Sequence, residues 1–403
     1  MARAYFYNIP HHGHITPTLP LVQELVRRGD EVTYFAGRDF AAKVQATGAT
    51  FRDYGVVSAF DPARRKGHVI QQGGLVAEAT HELLPTVLEQ VAAEQPDYLI
   101  FDMSAPWAGI AARHLDIPAV VVFPHLPFYW RSVTEDRRVL RKVLNSVRPG
   151  QGYWRDLQRQ IGRMVTEHGL RRPADLNILS SSAELNIVFT SRTFQPYAER
   201  FGEQYEFVGP VVDLDRPEQE IEITREPGQK LIYIAVGTVY QAQAGFFHTC
   251  MAALADSGYR VIMSTGRAVD PGSLDPIPAN FTVGQFMPQL QILRQADLFV
   301  THGGMNSIAE AMMLRVPLIV VPNTLEQAVN AGRVEQLGAG RYLPPRELTA
   351  ASLRTAVDSL LDDAGVAGAV ERIRDSFVSA GGVERAAAAI VAFKTQYGVG
   401  KNN

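Results

Sequence analysis

Short runs of apolar residues alternate along the chain with segments in which apolar residues recur at helical spacing. In the first half the apolar runs are residues 5–9, 32–35, 98–101 and 119–123, and residues 106–115 have a helical pattern. Another helix is predicted from Thr16-Pro17 to just before Gly29, because proline suits a first helical turn and glycine a helix end. The runs are apolar throughout rather than alternating, which predicts parallel strands covered by helices on both faces.

The same alternation begins again after residues 209–230, which lack apolar periodicity and are interpreted as a linker. Strands are predicted at 231–236, 260–264, 282–286, 298–301 and 318–321, and helices at 246–257, 290–295, 307–314 and 383–397. The predicted fold class is therefore α/β. We expect one domain at 1–210, a second at 211–375, and a C-terminal helix within 376–403 that crosses back to the first domain.

Composition and charge narrow the possible functions. The 403 residues are enough for two to three domains of about 150 residues each. A net charge of −3 gives no basic surface for nucleic acid, and the one cysteine, Cys250, excludes an internal disulfide framework and a cysteine-built metal site. No apolar run approaches the ~20 residues of a membrane span, and residues 1–7 do not resemble a signal peptide. We expect a cytoplasmic protein, monomeric or homodimeric, that handles a small molecule.

Two polar residues follow strands at the sheet edge where parallel α/β proteins bind ligands. His14, in His11-His12-Gly13-His14, lies between a strand and a helix, where a histidine is suited to act as a general base. Asp102 follows the strand at 98–101, and its carboxylate could fix the tautomer of the His14 ring. The alternatives are a loop histidine bound to backbone groups and an aspartate that caps the helix beginning near Pro106. A zinc site would need the three histidines to converge, which neighbours at this spacing rarely do.

A second group of residues has the chemistry of a phosphate and sugar site. The strand at 298–301 runs into His302-Gly303-Gly304-Met305-Asn306-Ser307, which opens a helix whose N-terminus favours an anion. Glu310, one turn on, could accept two ribose hydroxyls, and Glu326-Gln327 could bind sugar hydroxyls. Gly237-Thr238 supplies a hydroxyl and a backbone amide at the same edge. Together they predict a nucleotide-sugar site.

Three segments of the second half resemble the donor-binding signature of family 1 glycosyltransferases, which have the GT-B fold. They are Gly284-Gln285-Phe286-Met287-Pro288-Gln289, Thr301-His302-Gly303-Gly304-Met305-Asn306-Ser307 and Glu326-Gln327. His12-Gly13-His14-Ile15-Thr16-Pro17 resembles the Gly-His-x-x-Pro motif of the bacterial macrolide-glycosyltransferase-like branch. The resemblance covers nearly the whole chain. It implies two Rossmann-like domains with parallel sheets facing across a cleft, the first binding the acceptor and the second the nucleotide-sugar donor.

The resemblance also implies a role for each matched residue. His14 would deprotonate the acceptor hydroxyl and Asp102 would orient His14. The nucleoside contacts would be Phe286, stacked on the base, Met287 and Gln289 near the base and ribose, and Glu310 on the ribose hydroxyls. The diphosphate contacts would be Thr238, His302, Gly303, Gly304, Asn306 and Ser307, and the sugar contacts Glu326 and Gln327. Phe286 and Met305 stand where plant members have tryptophan, so no plant-like substrate is implied.

The reaction implied is an inverting, metal-independent transfer of a hexose, with UDP-glucose as co-substrate and no permanently bound cofactor. Glu310 favours a ribonucleotide, because a carboxylate that binds two vicinal hydroxyls loses one of them with thymidine. The acceptor would be an apolar small molecule such as a macrolide or polyphenol. Its pocket is expected in the loops of the first half, where the candidates are Phe60, Met103, Pro106, Trp107, His125, Phe128, Tyr129 and Trp130. Each of these is also a plausible core residue.

Three other functions remain open from the sequence. A nucleotide-sugar epimerase can share the fold, but it would leave the apolar first half without a role. A lipid-directed glycosyltransferase would use the basic run Arg137-Arg138, Arg141-Lys142 and Arg148 to dock on an anionic membrane. The neighbouring Glu135 and Asp136 instead favour a solvated helix face. A non-catalytic sugar-nucleotide binder would tolerate the loss of His14.

Overall fold

Two parallel β-sheets organise the part of the chain that the computed structural model describes. That part is residues 1–55, 57–61, 69–127, 129, 134–135, 137, 140–141, 159, 162–163, 166–167, 182–237, 244–267 and 269–400. Unit 1 comprises Met1–Val211 and Phe377–Asn403, and unit 2 comprises Val212–Ser376. Each unit contains one of the sheets.

The sheet of unit 1 has seven strands in the order β3-β2-β1-β4-β5-β6-β7. The strands are β1 (Arg3–Tyr7), β2 (Glu31–Ala36), β3 (Thr50–Asp53), β4 (Tyr98–Asp102), β5 (Ala119–Phe123), β6 (Leu185–Val188) and β7 (Tyr205–Phe207). Strand β1 shows why the apolar runs are continuous. Ala4 and Phe6 pack into the hydrophobic core on one face of the sheet, whereas Tyr5 and Tyr7 pack into the core on the other. Both faces are therefore covered, as expected for a parallel sheet.

The helices of unit 1 follow its strands. They are α1 (His12–Ile15), α2 (Leu19–Arg27), α3 (Ala41–Gln45), α4 (Val69–Glu94) and α5 (Pro106–His114). Helix α4 contacts α5, and the two lie over the sheet face that carries Tyr5 and Tyr7. Helix α1 begins five residues after β1 ends, so its side chains lie at the carboxyl edge of the sheet.

The sheet of unit 2 has six parallel strands in the order β10-β9-β8-β11-β12-β13, which is the Rossmann order. Its strands are β8 (Leu231–Ala235), β9 (Arg260–Ser264), β10 (Phe281–Gly284), β11 (Leu298–Thr301), β12 (Leu318–Val320) and β13 (Gly340–Tyr342). The helices that follow are α6 (Ala244–Leu254), α7 (Gln289–Leu293), α8 (Met305–Met313), α9 (Leu325–Gln336), α10 (Ala350–Leu361) and α11 (Val366–Ser379). Segments that follow β8, β11 and β12 therefore meet at one edge.

The last helix, α12 (Gly382–Gln396), belongs to unit 1. It packs against α2, and Ile390 and Phe393 lie in the core on the Ala4–Phe6 side of the sheet. Lys394 donates to both carboxylate oxygens of the buried Asp30 at 2.7 Å. Together α11 and α12 form a stretch long and apolar enough, by length and composition alone, to cross a membrane. Gly381 breaks that stretch, and Ala386, Ala387, Ile390 and Phe393 of α12 lie in the core of unit 1.

Candidate active site

In unit 1, His14 and Asp102 lie in direct contact, as the sequence predicted. His14 Nδ1 is 2.9 Å from Asp102 Oδ2, and the carboxylate is completely buried. Strands β1 and β4 are neighbours in the sheet, with Tyr7 opposite Phe101, so the residues that follow them meet at the same edge. A carboxylate only accepts, so His14 Nδ1 carries the proton and Nε2 presents a lone pair. That lone pair is what a general base needs.

Two further contacts hold this pair in place. The other oxygen of Asp102 accepts from the Ser104 backbone amide at 2.7 Å, and the N-cap of helix α5 is Ala105, with no side-chain cap. Asp102 is therefore not a helix cap, and its second oxygen is fixed by the turn that follows β4. The buried Asn8 donates to the His14 carbonyl at 3.3 Å and to the Tyr34 hydroxyl at 2.8 Å. Asn8 was not singled out from the sequence, although it is a polar residue at the end of an apolar strand.

His125 lies on the opposite side of the His14 ring from Asp102. It follows β5, and its Nε2 is 2.9 Å from His14 Nε2. Since the lone pair of His14 Nε2 accepts, His125 donates through its Nε2–H. The sequence placed His125 in the acceptor pocket; the structure puts it on the nitrogen that would take the acceptor's proton.

In unit 2, the backbone of the loop between β11 and α8 passes so close to neighbouring side chains that only glycine fits. Gly303 has a φ of +85°, and a Cβ there would lie 2.5 Å from Val320 Cγ1. Gly237, which follows β8, has a φ of +77°, and a Cβ there would lie 2.7 Å from His302 Cε1. The amides of Asn306 and Ser307 lie in the first turn of α8, where helical amides have no intrahelical partner. Such a turn can bind a phosphate.

His302 is neutral at pH 7. Burial lowers its pKa to about 4, although the negative charge of Glu326 acts in the opposite direction. A diphosphate at this position would therefore meet an imidazole that hydrogen-bonds rather than a cation. The α8 N-terminus supplies positive potential at this position.

Glu310, the predicted ribose residue, already has partners inside unit 2. Arg216 Nη1 is 2.5 Å from Glu310 Oε1, Arg216 Nη2 is 3.2 Å from Oε2, and Gln289 Nε2 is 2.7 Å from Oε2. Arg216 was not identified from the sequence, because it lies in the aperiodic linker 94 residues before its partner. The structure thus brings Gln289 and Glu310, both predicted near the ribose, into direct contact.

Glu326 and Gln327 lie in the first turn of helix α9. The Gln327 side chain forms part of the N-terminal capping box of this helix. The Thr324 hydroxyl accepts from the Gln327 amide at 3.2 Å, and Gln327 Oε1 accepts from the amides of Asn323 and Thr324 at 2.9 and 3.1 Å. This capping box commits the side-chain oxygen, so only the Nε2 group of Gln327 is left to donate to a sugar. The Thr324-x-x-Gln327 spacing signals such a cap in the sequence.

Asn330 connects the glycine loop after β11 to the Glu326 carboxylate. This buried side chain donates from Nδ2 to the Gly303 carbonyl at 2.9 Å and to Glu326 Oε1 at 3.0 Å. It lies one turn after Glu326 on α9. Sequence reasoning missed it because a helical asparagine carries no motif of its own.

Phe286 has 57% of its surface exposed, which is unusual for a large apolar side chain. It follows β10, at the same strand edge as the glycine loop. Met287 is half-buried, with its sulfur packed close over Gly284. An exposed ring at this edge is compatible with stacking on a nucleobase.

The acceptor candidates of unit 1 separate into different environments. Trp107 is a fully buried core residue and presents no surface to a ligand, so its expected lining role is wrong. Phe60 is partly buried, with its ring 6.0 Å from that of Trp107, and Met103 is half-buried after β4. Tyr129 is half-buried against Tyr197. Phe128, Trp130 and the donor candidate Thr238 lie outside the described residues, as do Arg138, Lys142 and Arg148 of the basic run.

Metal ligands were not predicted, but the linker contains an Asp-x-Asp sequence, Asp213-Leu214-Asp215. Asp213 Oδ1 accepts from the Asp215 amide at 3.1 Å, and the fully exposed Asp215 lies 3.6 Å from Arg294. Within the described part of the chain, no three histidine, cysteine, aspartate or glutamate side chains converge on a point that could hold a metal ion.

Comparison with known proteins assigns the family. Residues 248–392 match the family described as erythromycin biosynthesis protein CIII-like, C-terminal domain. The chain is 36% identical over 404 residues to the NDP-glycosyltransferase YjiC of Bacillus licheniformis, with 98% of each covered. It is 30% identical to the oleandomycin glycosyltransferase of Streptomyces antibioticus, covering 96% of this chain and 89% of that protein. The crystal structure of the calicheamicin glycosyltransferase CalG4 matches with a TM-score of 0.81 and 29% identity over 98% of both chains. The chain thus belongs to the family 1 glycosyltransferases of the GT-B fold, in the macrolide-glycosyltransferase-like branch.

Proposed function

We propose that this glycosyltransferase moves glucose from UDP-glucose to a hydroxyl of an apolar small molecule, with inversion at the anomeric carbon and without a metal ion. The observation that carries the proposal is the 2.9 Å contact between His14 Nδ1 and the buried Asp102 carboxylate. It leaves Nε2 as the nitrogen of His14 that can accept a proton. The acceptor hydroxyl gives its proton to Nε2 as its oxygen attacks the anomeric carbon, a step that such bases accelerate ~10²–10⁴-fold.

The bond that breaks joins the anomeric carbon to the β-phosphate oxygen, and the leaving nucleoside diphosphate keeps the electron pair. Negative charge grows on that oxygen during the step. The amides of the first α8 turn and the positive helix end supply stabilisation there, which is why we propose that no cation is required. A single displacement needs one base and one anion site, and these are the groups that units 1 and 2 offer.

The proposed donor rests on the nucleoside and sugar contacts. Phe286 offers an exposed ring for uracil, and Glu326 with the Nε2 group of Gln327 offers an acceptor and a donor for glucose hydroxyls. A relative from Bacillus subtilis that is 29% identical is named an uncharacterised UDP-glucosyltransferase, YojK. That name supports the choice of UDP-glucose as the first donor to test.

The proposed acceptor is a macrolide or a polyphenol. Phe60 and Met103 give unit 1 partly buried apolar surface, with Met103 directly after Asp102 in sequence. The oleandomycin glycosyltransferase among the relatives is named for a natural-product acceptor. Since the relatives compared are named as transferases, transfer is favoured over epimerisation.

The test is transfer of glucose from UDP-glucose to a panel of alcohol and phenol acceptors. Wild type should form product with inverted configuration, read from the anomeric coupling constant by NMR, and should keep its rate in excess EDTA. His14→Ala should lose roughly 10²–10⁴-fold in kcat with an alcohol acceptor. Asp102→Asn should lose a similar factor, because the ring can then take the wrong tautomer.

His12→Ala is the matched control, since His12 lies exposed in the same short helix, and it should leave the rate unchanged. Full activity of His14→Ala with an alcohol would exclude the general-base assignment. Loss of activity in EDTA, restored by magnesium, would exclude the metal-independent route. Acidic phenols are poor probes because they ionise without a base.

A further inference from the structure

The carboxylate proposed to bind the donor's ribose is already hydrogen-bonded within unit 2. Arg216 spans both oxygens of Glu310, at 2.5 and 3.2 Å, and Gln289 donates to Oε2 at 2.7 Å. The Glu310 side chain is only 8% exposed. Burial acts to lower the Arg216 pKa, but the hydrogen bond and charge of Glu310 outweigh it and raise the pKa overall. The Arg216 guanidinium is therefore charged, and three hydrogen bonds hold the Glu310 carboxylate in place.

The linker around Arg216 is fastened to helix α7, so the guanidinium does not depend on Glu310 alone for its position. Glu218 accepts from Arg216 Nη2 at 3.3 Å with one oxygen and from the Gln291 amide at 3.1 Å with the other. The Gln291 side chain then pairs with both backbone groups of Ile221, at 3.0 and 2.7 Å. Arg294 donates to the Leu214 carbonyl. These contacts fix the segment on both sides of Arg216.

Counting acceptor positions shows what is left for a ligand. An ionised carboxylate has about four lone-pair positions. Contacts among the described residues fill three of them, one on Oε1 and two on Oε2. Within the part of the chain that the structure describes, one position, on Oε1, remains. A ribose that presents both its 2′- and 3′-hydroxyls to this carboxylate needs two.

We propose that Arg216 restricts Glu310 to a single hydrogen bond with the donor's sugar, so that the site hardly distinguishes ribonucleotides from 2′-deoxyribonucleotides. The inference rests on the proposed function, in which unit 2 binds a nucleoside diphosphate sugar. It names Arg216 as a specificity-determining residue of the linker. It also changes the expectation from the sequence, which gave Glu310 two ribose hydroxyls and hence a preference for uridine.

Displacement of Arg216 by the ribose is disfavoured. The carboxylate would lose a bidentate, charge-assisted contact with Arg216 in a partly buried position. It would gain one hydrogen bond from a neutral hydroxyl. Displacement would also leave a buried carboxylate without its counterion. The 3′-hydroxyl, which both kinds of nucleotide carry, is sufficient for the one position that remains.

The experiment compares the Kd of UDP with that of 2′-deoxy-UDP by calorimetry, because the two ligands differ only in one hydroxyl. Wild type should bind both within about threefold, which is less than a hydrogen bond to a charged group provides. Arg216→Met frees two positions on Glu310 and should shift the ratio toward UDP by roughly tenfold or more. Arg216→Lys keeps the positive charge but cannot make the bidentate contact. Its ratio of Kd values should lie between those of wild type and Arg216→Met.

Arg225→Met is the matched control. Arg225 is another linker arginine, paired with Asp297 at 3.3 Å and not with Glu310, so its loss should leave the ratio unchanged. Circular dichroism and thermal unfolding establish that each variant is folded, and Arg216→Lys keeps the test valid if Arg216→Met does not fold.

A wild-type ratio above about tenfold in favour of UDP would overturn the inference while leaving the proposed function intact. The same holds if folded Arg216 variants keep the wild-type ratio. Failure of wild type to bind UDP, together with no glucose transfer, would instead contradict the proposed function and this inference with it.

Discussion

The Nε2 atoms of His14 and His125 lie 2.9 Å apart, so the nitrogen proposed to take the acceptor's proton already has a hydrogen-bond partner. The acceptor hydroxyl has to replace His125 at that position before it can react. His125→Phe keeps a ring but removes the competing donor. We expect the KM for the acceptor to fall about 2–10-fold, the range of one net hydrogen bond, with little change in kcat. Steady-state kinetics with an alcohol acceptor measures both.

A fall in kcat as large as that of His14→Ala would contradict this expectation. It would mean that His125 takes part in the proton transfer itself. His11→Phe is a suitable control, because that ring also packs edge-on to His14, at 5.7 Å.

His302 should make unit 2 less stable in acid. Its pKa is about 4 in the folded protein against 6.5 in the unfolded chain, so between these values only the unfolded chain takes up the proton. Above pH 6.5 this group does not change the free energy of unfolding. That free energy falls as the pH drops from 6.5 to about 4, and below pH 4 this group lowers it no further. The difference corresponds to about 3 kcal/mol. His302→Gln should remove this part of the acid sensitivity.

The measurement is the free energy of opening of β8 and β11 amides by hydrogen exchange at pH 7 and 4.5. His248→Gln, at an exposed position of α6, is the control and should follow wild type. An equal loss of stability in wild type and His302→Gln would show that other groups cause it.

Asn330→Asp should damage donor binding and stability together. The change places a carboxylate against the Gly303 carbonyl and Glu326 Oε1, where an amide now donates to both. We expect a loss of about 1–3 kcal/mol in unfolding free energy and weaker UDP-glucose binding. Asn280→Asp is a matched control, because that side chain also donates to two groups, the carbonyls of Leu254 and Tyr259. It should lower stability and leave donor affinity unchanged.

Phe286→Ala should weaken UDP binding by roughly 5–150-fold, the range found when a ring stacked on a base is removed. The acceptor KM should not change. Phe286→Trp keeps a stacking surface and should bind UDP at least as well as wild type. Calorimetry with UDP decides the first point and acceptor kinetics the second. A shift confined to the acceptor KM would show that the ring serves the other substrate.

Strands buried on both faces were predictable from the sequence. Ala119–Phe123, Arg260–Ser264 and Leu298–Thr301 have the predicted bounds, because a continuous apolar run of this length fits a covered parallel strand. Strand Thr50–Asp53 lies at the sheet edge with half-polar content, and it was not predicted. Helix Val69–Glu94 was also missed, since Gly73, Gly74 and Pro85 interrupt its helical pattern.

The candidate site was predictable where contacts follow from neighbouring strands. His14 and Asp102 could be paired because their strands are adjacent in a parallel sheet. Arg216 could not be paired with Glu310, because its segment has no periodicity and is positioned by hydrogen bonds to α7. Nor did the sequence separate the two uses of Gln327, because a capping box and a sugar contact require the same residue type.

The return of helix α12 to unit 1 has a consequence for synthesis on the ribosome. Residues 212–376 are continuous and can complete their own sheet as they emerge. Unit 1, in contrast, waits for residues 382–396, more than 350 positions after the α2 residues that they cover. Until then, the hydrophobic core that contains Phe6, Leu21 and Leu25 lacks Ile390 and Phe393. The half of the enzyme that is made first is therefore the half that finishes folding last.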